Sequence, residues 1–194
     1  CSEALARKDC AYHVNMTERD SGLLKRIFAL PHMTLKGHAR WALGIVTGDN
    51  RRYVSESPQE GYEEVFKGCD INPFFFSEPH LFIKVPFDHF QQVAPLHIYT
   101  APEKLVYRFI SSRLIFAYDD RRRWILNSAN ILIPELPPYS MTLVLAFLNS
   151  SVFQYLFMKK YATHKVLRSD LEELPFPLLS AGKAAELAQM ADAV

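Results

Sequence analysis

At 194 residues and a formal net charge of +1, the chain suits one domain with a small appendage and lacks the basic excess that marks most stand-alone nucleic-acid binders. Apolar residues make up 49% and charged residues 22%, enough to bury a sizeable core without disulfide or metal staples. Cys1, Cys10 and Cys69 form neither a CxxC pair nor an even framework, the pattern of a reduced, cytoplasmic protein. No apolar run reaches the length of a membrane span and no signal peptide is visible, so no membrane partner is expected. The first residue is Cys rather than Met, which points to a piece of a longer polypeptide.

Residues 1–19 are polar and weakly patterned. Leu23, Leu24, Ile27, Phe28 and Leu30 then fall at helical spacing after Asp20-Ser21, a capping pair, and Pro31 ends the helix. The apolar run 41–46 closes in Thr47-Gly48-Asp49-Asn50, a turn signal, and Tyr53-Val54 restarts an extended segment. Phe74-Phe75-Phe76 and the run 81–85 are short apolar stretches between turn residues. Residues 105–110, 114–118, 124–126 and 131–133 read as strands of a meander, with Asp119-Asp120-Arg121-Arg122 as a polar hairpin tip. Pro134, Pro137 and Pro138 end it.

The last third is helical. Ser140 caps a helix through Leu143 to Phe157 that Asn149-Ser150-Ser151 bends or breaks. Ser169-x-x-Glu172 is a capping box, Leu174-Pro175-Phe176-Pro177 halts that element, and residues 181–193 form an alanine-rich final helix, a tail or linker. The expected class is α+β: a β-rich centre, a meander or twisted sheet, flanked by N-terminal and C-terminal helices. Three regions are expected, a helical or linker segment at 1–33, a β-rich region at 34–138 and a helical region at 139–194.

Catalytic signatures are lacking. Asn72-Pro73-Phe74-Phe75 approximates the Asn/Asp-Pro-Pro-aromatic loop of amino-methyltransferases, but the second proline is missing and only 71 residues precede it, so it reads as a buried strand start. No GxGxxG, Walker A, GxSxG or HExxH occurs, and the seven histidines show no ligand-like pairing with cysteine. Asp119-Asp120 beside three arginines reads as a solvated turn rather than a metal site.

Three basic clusters carry the binding expectation. Arg51-Arg52-Tyr53 follows a tight turn, where side chains project freely. Arg121-Arg122-Arg123-Trp124 sets three guanidiniums and an indole on a hairpin. Lys159-Lys160, His164, Lys165 and Arg168 gather at the end of the long helix. Arginine grips guanine bidentately or pairs with phosphate, and aromatic rings stack on exposed bases. Each cluster taken singly is explained more readily by a solvated surface run or by cations satisfying a helix C-terminus. Phe74, Phe75 and Phe76 cannot all point inward from one strand and offer an outward patch.

Four segments, in this order, resemble the target recognition domain of TaqI-like N6-adenine DNA methyltransferases. They are residues 44–50 closing in Thr47-Gly48-Asp49-Asn50, residues 65–71 with Lys67-Gly68-Cys69-Asp70, the strand 104–109, and an Asn149-Ser150 helix leading to Leu174-Pro175-Phe176-Pro177. Cys69 stands where the family usually has arginine. The resemblance implies a non-catalytic reader of double-stranded DNA, packed against an N-terminal methyltransferase domain of the same polypeptide. That domain would use S-adenosylmethionine and belong to a restriction-modification or phage-defence enzyme; this segment itself needs no cofactor. By this resemblance Arg51, Arg52, Lys67, Lys159, Lys160 and Lys165 would hold phosphates, and Arg121, Arg122, Arg123 and Trp124 would lie nearer base edges. Three rivals remain open: a specificity subunit of a multi-subunit modification enzyme, a protein-interaction domain docking through Phe74 to Phe76, and a small enzyme using Asp119 or His164.

Overall fold

The computed structural model describes residues 16–161 and 163–192; residues 1–15, with Cys1 and Cys10, and the expected end of the last helix at Ala193 lie outside the described residues. In chain order the elements are α1 (Glu18–Ala29), β1 (His32–Met33), β2 (Ala39–Leu43), the one-turn α2 (Asn50–Tyr53), β3 (Val54–Ser55), β4 (Tyr62–Phe66), β5 (Phe82–Lys84), α3 (Leu96–Tyr99), β6 (Lys104–Arg108), β7 (Phe116–Asp119), β8 (Trp124–Ile125), β9 (Ala129–Pro134), α4 (Met141–Asn149), α5 (Ser151–Lys160), α6 (Arg168–Leu171), β10 (Phe176–Pro177) and α7 (Ala181–Asp192).

The α+β expectation holds. A central antiparallel sheet in the order β2-β9-β6-β7 carries a different layer on each face. Parity along the strands divides the core. In β6, Leu105 and Tyr107 pack under the helices while Val106 packs toward a second sheet; in β9, Leu132 opposes Ile131 and Ile133 in the same way. An extended chain alternates faces, so a strand covered on both sides reads as an unbroken apolar run.

The second sheet, β3-β5-β4-β8, is where the structure departs from a single meander. After β7 the chain leaves the central sheet, and β8 pairs in parallel with β4 (Val65 opposite Trp124, Phe66 opposite Ile125). The segment after Asp119 is therefore a crossover between sheets, not the tip of a hairpin.

The helices form the opposite layer. Ser140 caps α4 and Ser150 caps α5, and the two meet at 60°. Asn149 and Gln154 explain the break: Asn149 donates to the Phe116 carbonyl (2.9 Å) and accepts its N–H (3.0 Å), and Gln154 does the same for Leu114 (2.6 and 3.0 Å). Thr17 caps α1 instead of Asp20; its hydroxyl accepts the Asp20 N–H while the Asp20 carboxylate accepts the Thr17 N–H. The expected Ser169–Glu172 box does not form, because Ser169 lies inside the first turn of α6 with its hydroxyl toward Asp170. α7 is no free tail: it packs on α4 with Ala184 buried. Strands β1 and β10 pair beneath, so the Leu174-Pro175-Phe176-Pro177 exit is a strand against His32 and Met33. No single helix among the described residues is long and apolar enough to cross a membrane, and most of the apolar residues of the bent pair α4 and α5 are core.

Candidate nucleic-acid interface

The turn before α2 is built to present arginines. Gly48 takes φ of +80°, a region side chains avoid, and Thr47 donates to Asn50 (2.6 Å). Asp49 caps the single helical turn by accepting the Arg52 N–H (3.3 Å). Arg51 and Arg52 are exposed as expected, but Tyr53 is buried with its ring against Phe90 at 5.0 Å. Tyr53 is thus part of the core, and the extended segment restarts at Val54.

Asp119 organises the second cluster. It is fully buried and accepts the backbone N–H groups of Arg121 (2.9 Å) and Arg123 (3.0 Å), the Arg123 guanidinium (2.9 Å) and the buried Lys104 ammonium (2.5 Å). Lys104 also donates to the Tyr99 carbonyl at 2.6 Å. Burial pushes the Lys104 ammonium down from its usual range, and the Asp119 charge opposes that shift. Asp119 is therefore no solvated turn residue, and no lone pair is left for general acid work or a metal. No group of His, Cys, Asp and Glu among the described residues is arranged to hold a metal ion.

The consequence is a split within the cluster. Arg121 and Arg122 project into solvent, with Arg122 at φ of +56°. Arg123 turns inward, its guanidinium 4.5 Å from the Phe76 ring and 5.4 Å from that of Phe66. Trp124 is half-buried, donates its indole N–H to Glu63 and packs edge-on to Phe87 at 4.7 Å. Phe87 stacks on Phe90 at 5.2 Å, so a row of rings joins Tyr53 to Trp124 and fixes the first two clusters on one lobe.

The Lys67-Gly68-Cys69-Asp70 segment follows β4 as a 3-10 turn, Gly68–Asp70. Gly68 donates to the Ser128 hydroxyl (2.8 Å), and a Cβ there would lie 2.5 Å from the Ser128 carbonyl, which is why the position takes glycine. Asp70 is buried and accepts the Lys67 N–H (2.8 Å) and the Cys69 thiol (3.3 Å). Burial, followed by contact with Asp70, pushes that thiol up. Lys67 is half-buried. The guanidinium serving this turn comes from Arg108, which donates to the carbonyls of Ile71 (2.8 Å) and Cys69 (3.2 Å). Nothing in the strand signal of residues 104–109 marks Arg108 for that role.

The third cluster lies on the helical layer and is largely consumed there. Lys159 pairs with Asp20 (2.9 Å), Lys160 with Glu173 (2.8 Å) and Arg168 with Glu172 (2.7 Å). Lys160 also lies 4.4 Å from the Phe28 ring, and Arg168 lies 5.7 Å from the Trp41 ring. His164 and Lys165 stay exposed, Lys165 near the Phe109 ring at 5.8 Å.

The loop at Asn72-Pro73-Phe74-Phe75 is no buried strand start. Phe74 and Phe75 are 43% and 60% exposed beside Arg121 and Arg122, on the rim of a groove of about 790 Å³. Asn72, the residue that would hold a target amino group in a methyltransferase loop, donates instead to Ser77 (2.8 Å).

The profile of the TaqI-like C-terminal specificity domain matches residues 63–176. The chain belongs to that family. Within a curated relative, "Type II methyltransferase M.VspI" of Vibrio sp. (strain 343), it is 42% identical over 60 residues, which is 31% of this chain and 15% of the relative. Two solved structures share the fold at low identity. One, from work on complex assembly and conformational transition of the type I R-M system, has a TM-score of 0.55 at 15% identity over 93% of this chain and 45% of that one. The other, the HsdS subunit from Thermoanaerobacter tengcongensis, has a TM-score of 0.50 at 16% identity over 93% of this chain and 44% of that one. The chain thus spans less than half the length of each of these proteins. The family match covers β5, β8 and nearly all of β4 in the second sheet, β6, β7 and β9 of the central sheet, and the Asn149 helix break, the parts that place Arg121 and Arg122; β3 and the Arg51-Arg52 turn lie before it.

Proposed function

We propose that this specificity domain reads the sequence of double-stranded DNA for an N6-adenine methyltransferase of a restriction-modification or related phage-defence system, and carries no catalysis itself. The family match supports it, and so does the lobe on which Arg51, Arg52, Arg121 and Arg122 stand exposed, without a carboxylate partner among the described residues. Arg51 and Arg52 would meet phosphates; Arg121 and Arg122 would approach base edges in the major groove. The buried or paired Tyr53, Arg123, Lys159, Lys160 and Arg168 would act as structure, with Trp124 as packing. The methyl donor S-adenosylmethionine would be held by a catalytic domain placed N-terminal in the same polypeptide; no residue of this chain is assigned to it. Clamping of the duplex by this domain would let an adenine swing into that neighbouring site.

The experiment is a binding titration of the intact protein on a randomised duplex pool at several salt concentrations, with modified-base sequencing of the host genome. Enrichment of one short site that coincides with a methylated adenine is the expected result. Salt-insensitive binding, or none, would overturn the DNA reading. A second reading, a separate specificity subunit, is favoured by the likeness to the HsdS chain over 93% of this one. An encoding sequence with an unrelated domain or a start codon directly upstream would support it over the fused enzyme.

A further inference from the structure

We propose that the Asn72–Phe75 tip and its groove are the base-reading site of this domain, with Phe75 recognising the C5-methyl group of a thymine. The proposal rests on the reading of the chain as a DNA-recognition domain. Its first support is local geometry. Ile71 and Phe76 bridge as an antiparallel pair, and the Asn72 N–H donates to the Phe75 carbonyl (2.8 Å), so Pro73 and Phe74 form a tight tip. Phe74 is held at φ of +77°, which bulky side chains rarely adopt, and its N–H donates to the Phe116 carbonyl of β7 (2.8 Å). Such strain persists only where surrounding contacts enforce it, and it gathers at working sites. The tip turns Phe76 inward against Phe66 and Arg123, and leaves Phe75 60% exposed.

The second support is the company Phe75 keeps. The groove of about 790 Å³ is lined by Phe74, Phe75, Arg121, Arg122, Glu64 and Glu78 among others. A phosphate entering it would meet carboxylates. Base edges in the major groove differ in this respect, since they present acceptors, amino donors and a methyl group side by side. Arginines match guanine acceptors, the carboxylates of Glu64 and Glu78, which have no cationic partner among the described residues, match a cytosine amino group, and an apolar ring matches the thymine methyl. The mixed charge therefore favours base edges over backbone, and leaves the phosphates to Arg51 and Arg52.

The test uses the intact protein and the duplex it selects from a randomised pool. Each thymine of the site is replaced in turn by uracil, which lacks only the methyl group. Wild type is expected to bind one thymine about fourfold more tightly than uracil, the worth of one buried methyl. Phe75→Ala is expected to bind both duplexes equally, at the wild-type affinity for uracil, and Phe75→Leu to keep most of the discrimination; melting curves confirm that both variants fold. Indifference of wild type to every replacement, or discrimination retained by Phe75→Ala, would overturn the assignment while sequence selection stands. A Phe75→Ala loss that is equal on all sequences would also overturn it, and would point to a docking role. Failure of wild type to select any sequence would instead remove the DNA reading itself.

Discussion

The two layers that flank the central sheet treat their cations in opposite ways. Under the helices, Lys159, Lys160 and Arg168 each meet a carboxylate at 2.9 Å or less. On the second sheet, Arg51, Arg121 and Arg122 meet none among the described residues and stand exposed. Three clusters that look alike in sequence thus divide in the fold, and the deciding partners are both near and far along the chain: Glu172 lies 4 positions from Arg168 and Glu173 13 from Lys160, but Asp20 lies 139 from Lys159. Exposed pairs add only about 0–1 kcal/mol each to stability, but a cation already holding a carboxylate is a poorer ligand for phosphate. A net charge of +1 is then no argument against a polyanion partner, since the charge is local rather than global.

The largest effect expected on the second-sheet side follows loss of Asp119. Asp119→Ala leaves the buried Lys104 ammonium without its counter-charge, and breaking one side of a buried pair costs about 3–5 kcal/mol. Denaturant unfolding measures it; a loss under about 1 kcal/mol would mean that Lys104 sheds its proton instead, as its lowered pKa permits. The next effect separates structure from function. Arg121→Ala with Arg122→Ala is expected to change stability by no more than about 0.5 kcal/mol, as exposed substitutions do. The same pair of substitutions should relax one position of the DNA site by roughly 1–3 kcal/mol. Unchanged site preference in that double variant would remove the crossover turn from the reading surface. Arg51→Ala should act differently, weakening all sequences alike and lowering the salt slope by about one unit, which a titration over salt concentration records.

How much of this was legible in the sequence depends on distance along the chain. The caps at Ser140 and Ser150 are readable because a hydroxyl and the N–H it accepts lie three residues apart. Gly48 is readable for the same reason, as a turn residue required by its own φ. Asp20 misleads because two local signals compete, and Thr17 caps the helix through Asp20 itself. β8 reads as a meander strand, but a parallel partner is chosen across space, and β4 lies nearly sixty residues earlier. Asp119 looks like a solvated carboxylate because Lys104, which buries with it, sits on a neighbouring strand. In the candidate site the exposed Arg51, Arg52, Arg121 and Arg122 were legible, whereas the inward turn of Arg123 needed Phe66 and Phe76 in place. The service of Arg108 to the Cys69 turn needed two segments brought together.

The smallest effect expected lies on the helical side, where it tests that those cations serve the fold alone. Asp20 accepts hydrogen bonds from Tyr155 (2.5 Å), Lys159 (2.9 Å) and Thr17, in that order of influence, and they hold its carboxyl well below the usual range. A carboxylate depressed in the folded state stabilises it fully above its unfolded pKa of about 3.9, and the contribution is lost as pH falls from there through the folded value. Asp20→Asn should therefore melt below wild type at pH values of about 6, and the gap should close as the pH drops below about 4. The α1–α5 clamp it loosens lies on the far side of the central sheet from Arg121 and Arg122, so DNA site preference at neutral pH should not move. A gap constant with pH would assign the stability to packing of α1 rather than to the Asp20 charge. A changed site preference would show that the two layers are coupled and that the paired cations take part in reading.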